Sequence, residues 1–124
     1  MRALYAKNNL GYIGLNGKLP WQSSDDLKHF KALTDGYSLL AGYNTAKLLP
    51  NLPNRNIIMD DENIDLYSID WCIGGKKTYE KYCHLFTELH ISIIGDYTIG
   101  DTMEPELKNL NPDCRMFYYK FNTD

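Results

Sequence analysis

In QSSDDLKHFKAL, residues 22–33, two adjacent carboxylates stand at the head of a half-apolar helix. Asp26 is followed by Leu27, by Phe30 four positions on and by Leu33 seven positions on, the spacing of one helical face. Asp25, Lys28 and Lys31 fall elsewhere around the helix. One acid is therefore solvated, and the other belongs to the apolar stripe. Burial against Phe and Leu disfavours a charged carboxylate and raises its pKa, which holds an acid ready near neutral pH. The same group could accept hydrogen bonds from a cationic or amidine-like ligand edge. A purely structural reading stands beside this one. With Ser23 as N-cap, Asp26 is the N3 residue of an S-x-x-D pattern and could reach back to the cap amide.

Directly upstream, GYIGLNGKLPW lacks the G-x-G-x-x-G spacing of a phosphate loop and opens no helix at its last glycine. Its glycines, its proline and Trp21 instead suit a loop that folds over a ligand as a lid.

The elements that must position these groups alternate along the chain. Residues 2–6, 38–41, 56–59, 71–73, 90–94 and 115–121 read as strands, and 24–33, 45–49 and 76–86 as helices. This alternation predicts an α/β sheet with helices against its faces. Ligands of such sheets bind beyond the carboxyl ends of the strands, which singles out the loops after Ala6, Ala41 and Ile73. The last strand, RMFYYKF, follows the connection MEPELKNLNPD and is expected to be an antiparallel edge or hairpin strand.

The 124 residues are expected to form one domain with a sizeable core. Thirteen basic side chains against sixteen acidic ones, with no basic stripe, argue against nucleic acid as a partner. No apolar run is long enough to span a membrane, and the N-terminus has no signal-peptide core, so a cytoplasmic location is expected. Cys72, Cys83 and Cys114 lack metal-site spacing and read as idle thiols of a reducing compartment. His29, His84 and His90 likewise lack ligand partners, and His29 is placed on the exposed side of its helix.

At this point the chain resembles the dihydrofolate reductase family. The elements that carry the resemblance are Ala6, Ile13-Gly14, Leu19-Pro20-Trp21 and Asp26-Leu27-Lys28-His29-Phe30-Lys31, then Gly42-Tyr43-Asn44-Thr45 and Leu52-Pro53-Asn54-Arg55-Asn56. Ile73-Gly74-Gly75-Lys76-Lys77-Thr78-Tyr79 and Gly100-Asp101-Thr102 complete the set. Each motif is weak alone; their order along residues 3–105 makes the signal.

The resemblance implies a single-domain α/β fold with a twisted, mainly parallel sheet flanked by helices. It also implies hydride transfer from NADPH to dihydrofolate, giving tetrahydrofolate. Asp26 would bind the pterin's amino-pyrimidine edge and promote protonation at N5, with Trp21 holding a water and Ser92 as the hydroxyl partner of the carboxylate. Leu4, Tyr5, Ala6, Leu27, Phe30, Leu49, Leu52 and Ile73 would line the folate pocket, and Arg55 would grip the glutamyl α-carboxylate. Leu19 would be the lid residue over the nicotinamide, with Ala6, Ile13 and Gly14 beside it. Gly42, Asn44, Thr45, Gly74, Gly75, Lys76, Lys77, Thr78, Tyr79 and Thr102 complete the implied cofactor side, with Gly74–Gly75 cis. Antifolate-like molecules would share the folate site. The chain is expected to be a monomer, with edge-strand dimerisation the other possibility.

Three departures from the family pattern stand out. Tyr43 replaces the usual phosphate-binding Arg, with Lys76 and Lys77 as partial compensation. Only residues 60–70 separate the third and fourth strands, too few for the usual adenosine-binding subdomain, and Asp60, Asp61 and Glu62 there would repel a phosphate. After Pro105 there is room for one clear strand where the family has a hairpin. NADPH binding weaker than the family norm, with poor discrimination against NADH, is the expectation. The other readings are a folate- or protein-binding module without turnover, a pyrimidine reductase of flavin synthesis sharing the fold, and a scaffold.

Overall fold

Alternation along Arg2–Asn8 (β1) sends Leu4 to one apolar cluster and Ala3 and Tyr5 to another, so β1 is covered on both faces and must be central. The structure, a computed structural model, describes residues 1–61 and 63–124. In chain order the other elements are β2 (Tyr12–Gly14), α1 (Ser24–Thr34), β3 (Ser38–Ala41), α2 (Tyr43–Leu48), β4 (Asn56–Met59), β5 (Trp71–Cys72), α3 (Lys76–Tyr82), β6 (Glu88–Gly95), β7 (Thr102–Met103) and β8 (Arg115–Asn122). Six strands form one sheet in the order β4-β3-β5-β1-β6-β8, all neighbours parallel. β2 and β7 make a separate antiparallel ribbon.

Because every neighbour is parallel, the loops after β1, β3, β5 and β6 emerge at the same end of the sheet. One face carries Leu4, Leu39 and Trp71, packed against Phe30 and Leu33 of α1. The other carries Ala3, Tyr5, Leu40, Cys72, Leu89 and Ile91 under Tyr79 and Tyr82 of α3.

Several boundaries differ from the sequence reading. β1 and β6 run longer than expected, the second helix begins at Tyr43, and the third ends at Tyr82, followed by a 3-10 turn over Cys83–Leu85. The largest correction is β8, which pairs parallel with β6, His90 opposite Phe117 and Ser92 opposite Tyr119. The chain between them is long enough for a parallel crossover. It returns across the α3 face, where Pro105 is buried and Leu107, Leu110 and Cys114 pack on the core. β8 is still an edge strand. The short connection from β4 to β5 crosses with a 3-10 turn, Leu66–Ser68, rather than a helix, placing Ile64, Leu66 and Ile69 on the same core.

Among the described residues no helix is long and apolar enough to cross a membrane. Cys72 and Cys83 are buried, Cys114 is half-buried, and all three are free thiols.

Candidate active site

α1 is held at its first turn from two sides. The Ser23 hydroxyl accepts the Asp26 N–H at 3.3 Å and donates to the Asn122 carbonyl at 2.7 Å. Asp124 accepts from the Ser24 N–H at 2.8 Å and from its hydroxyl at 2.7 Å. The N-cap is therefore the expected one, and the bond within it runs from the Asp26 amide to Ser23, leaving the Asp26 carboxylate for other partners.

That carboxylate is half-buried, and burial raises its pKa. A hydrogen bond from Ser92 and the charge of His29 pull the other way without cancelling the rise. Ser92 is buried on β6 directly opposite Ala6 of β1, so the strand register brings both beside α1. Trp21, at the end of the loop, is 6% exposed, and its indole N–H is buried with no acceptor among the described residues. A raised acid and a hydroxyl thus meet where the strands end.

Leu4, Phe30 and Ile73 share one apolar cluster on this face. Leu52 is buried and Leu49 half-buried, while Leu27 stays exposed. Tyr5 is a correction. Adjacent strand residues point to opposite faces, so with Leu4 toward α1 the Tyr5 side chain turns to the other core. There its hydroxyl donates to Glu104 at 3.0 Å, and Lys7 closes on the same carboxylate at 2.9 Å. Arg55 packs at the carboxyl end of α1, its side chain 6% exposed. It donates to Thr34 Oγ1 at 3.2 Å, to the Pro53 carbonyl at 2.7 Å and to the Lys31 carbonyl. Three of its five N–H donors are committed, and the Asp35 carboxylate lies 3.7 Å from Nη1.

On the other side of the sheet's end, the starts of α2 and α3 abut. The Gly42 N–H donates to the Gly74 carbonyl at 2.6 Å, and the Gly74–Gly75 bond is cis. A β-carbon at Gly42 would lie 2.6 Å from Thr78 Oγ1, and one at Gly75 would lie 3.1 Å from Thr45 Oγ1. Only glycines allow so close an approach. Both helices begin without a side-chain cap, at Gly42 and at Gly75, so the amides around Asn44, Thr45, Lys76, Lys77 and Thr78 are open to an anion. This donor set fits the phosphates of a dinucleotide. Tyr79 is buried, its hydroxyl donating to the Leu4 carbonyl at 2.7 Å; it braces the floor between the two sides. Tyr43 is exposed with the Lys47 ammonium over its ring at 4.5 Å.

Asp60 accepts from Tyr82 at 2.6 Å and pairs with Lys81 at 3.2 Å, while Asp61 accepts only the Asn63 N–H. Glu62 lies outside the described residues.

The glycine-rich loop of residues 11–21 rests on the β2–β7 ribbon, with Gly14 opposite Thr102 and Ile13 packed on the α3-side core. Its tip is pinned by Asp101, which accepts the Asn16 N–H at 2.9 Å, while Leu19 is left 57% exposed.

Three polar residues gain a place that the sequence reading did not give them. Asn8 is 1% exposed at the hinge of the loop. His29 is half-buried against Tyr119 and Phe121, which corrects its placement on the exposed side of the helix, and His90 is buried between Trp71 and Phe117. Position 90 was legible as one face of an alternating strand; position 29 depended on where β8 pairs.

Comparison with known proteins agrees with this geometry. The family model described as dihydrofolate reductase matches residues 1–70. A dihydrofolate reductase of Staphylococcus aureus is 30% identical, the match covering 75% of this chain and 70% of the relative. One from Buchnera aphidicola subsp. Schizaphis graminum is 29% identical, covering 82% and 76%. Among solved structures, dihydrofolate reductase from Enterococcus faecalis, complexed with NADP(H) and RAB-propyl, superposes with a TM-score of 0.71 at 27% identity, covering 86% of this chain and 77% of that one. The chain belongs to the dihydrofolate reductase family.

Proposed function

We propose that this chain reduces 7,8-dihydrofolate to tetrahydrofolate with Asp26 as its single active-site acid. The carrying observation is the half-buried carboxyl of Asp26, its proton affinity raised, beside the Ser92 hydroxyl at the carboxyl end of β6. As a member of its family the chain is an NADPH-dependent oxidoreductase. When bound, NADPH supplies the hydride.

The remaining work falls to the chain's own residues. Asp26 accepts the amino-pyrimidine edge of the pterin and promotes proton delivery at N5, and the unsatisfied Trp21 indole N–H orients a water between them. Leu4, Ala6, Leu27, Phe30, Leu49, Leu52 and Ile73 shape the apolar walls, and the Arg55 guanidinium takes the glutamyl carboxylate. The loop with Leu19 closes over the reacting atoms and excludes water. Gly42, Asn44, Thr45, Gly74, Gly75, Lys76, Lys77 and Thr78 hold the phosphates. With Tyr43 in place of an arginine, phosphate-dependent affinity and preference for NADPH over NADH are both reduced.

The test is loss of NADPH absorbance with dihydrofolate present, for the native chain and for Asp26→Asn. Turnover that falls at least about 100-fold in the variant supports the reading. No turnover in the native chain, with dihydrofolate still raising its melting temperature, would mean a folate-binding module instead.

A further inference from the structure

The helix that carries Asp26 carries a second ionisable group on the same side. His29 lies three residues on, one helical turn along the same side of α1. It is wedged under β8, its ring centroid 4.2 Å from that of Tyr119 and 5.2 Å from that of Phe121. Its Nε2 is buried with no hydrogen-bond partner among the described residues. A solvated surface histidine has no such arrangement.

We infer that His29 and Asp26 form a coupled acid–imidazole pair, in which His29 acts through Asp26 to set the pH at which the active site holds its proton. The inference rests on the assignment of Asp26 as the active-site acid and deepens it. An imidazolium needs partners or water at both nitrogens, and the pocket denies them at Nε2, so the neutral ring is favoured. Asp26 supplies the opposing influence, since its carboxylate favours the cation. The directions agree: burial lowers the His29 pKa, Asp26 raises it and His90 lowers it again. Burial raises the Asp26 pKa, and His29 is among the groups that hold it back.

The ionisable neighbours are few. Asp26 faces His29 from its own helix and Tyr119 from β8. From β6 comes His90, which bonds the Tyr119 hydroxyl through Nδ1 at 2.8 Å and Glu88 through Nε2 at 2.9 Å. Glu88 thus occupies the far nitrogen of His90, and the acidic group beside His29 on its own helix is Asp26. Burial thus moves the acid and the imidazole toward each other, the one raised and the other lowered.

The primary test is an NMR pH titration of the histidine rings in the ligand-free protein, native and Asp26→Asn, with His29 assigned from the signal lost in His29→Gln. In Asp26→Asn the His29 midpoint is expected to move to lower pH, because the carboxylate that favours the cation is gone. An unchanged midpoint overturns the pair. Single-turnover rates against pH form the second test, in native protein and in His29→Phe, which keeps a ring against Tyr119. Without the imidazole, Asp26 holds its proton to higher pH, so the fall in rate with rising pH moves upward. A uniform loss of rate at every pH, with no displacement of the profile, would reduce His29 to packing. A moved His29 midpoint with full turnover in Asp26→Asn would leave the pair standing and remove the catalytic assignment. Collapse of turnover with an unmoved midpoint would do the reverse.

Discussion

Asn8 and Asp96 are joined by a hydrogen bond of 3.0 Å from carboxamide to carboxylate, made where β1 and β6 both give way to loops. The Asn8 side chain also donates to the Thr98 carbonyl at 2.7 Å and accepts the N–H groups of Leu10 and Tyr12 at 3.1 and 3.0 Å. Every polar atom of a fully buried side chain is thereby used to tie the loop over the site to the loop after β6. Asn8→Leu leaves two amides, a carbonyl and a carboxylate without their partner. It is expected to cost about 2–3 kcal/mol of stability, read by urea unfolding, and to raise KM for both ligands as the lid loses its hinge.

Asp26 binds its proton more tightly in the folded chain than in the unfolded one. Its contribution to stability is therefore complete below the unfolded pKa and is lost as pH rises through the folded value. Near neutral pH the charged carboxylate is held in its half-buried place against its preference. Asp26→Asn is expected to raise the melting temperature near pH 7 and to leave it almost unchanged below about pH 3.5, where the native acid is already neutral. A melting temperature lowered at neutral pH would mean that ligand-free Asp26 is a structural partner and not a strained acid.

Ser23 joins two segments far apart in sequence, capping α1 and holding the strand end at Asn122. Ser23→Ala is expected to cost about 1 kcal/mol through the lost cap. Because the first turn carries Asp26, kcat should fall severalfold more than the stability loss alone explains. Thermal melting and steady-state kinetics on one preparation separate the two effects.

At the cofactor side, a β-carbon at Gly42 would press on Thr78 Oγ1 at 2.6 Å, with the Gly74 carbonyl at 3.6 Å behind it. Gly42→Ala should push the two helix starts apart and raise KM for NADPH about tenfold, equivalent to roughly 1.4 kcal/mol, with less effect on dihydrofolate. Adding Thr78→Ala removes the offending oxygen and should recover part of the loss. Equal KM changes for both substrates would show that the strain spreads through the sheet instead.

Local pattern was enough to place the helix cap, the apolar stripe and the close glycine contacts. The Ser23 cap, the Asp26–Phe30–Leu33 stripe and the glycines at positions 42, 74 and 75 announce themselves through neighbours at short spacing, because capping, helical periodicity and close backbone approach are local constraints. The strands of β3 and β4 were readable for the same reason, as short apolar runs between turn residues. What the sequence could not settle was whatever depends on which strand lies beside which. RMFYYKF alternates equally well for a parallel or an antiparallel partner, and only the crossover packed on the α3 face decides that β8 runs with β6. That choice puts Tyr119 and Phe121 over His29, and the strand parity of β1 takes Tyr5 away from the pocket that Leu4 enters. Tertiary packing, through desolvation and strand register, turned an apparently exposed histidine into the neighbour of the acid.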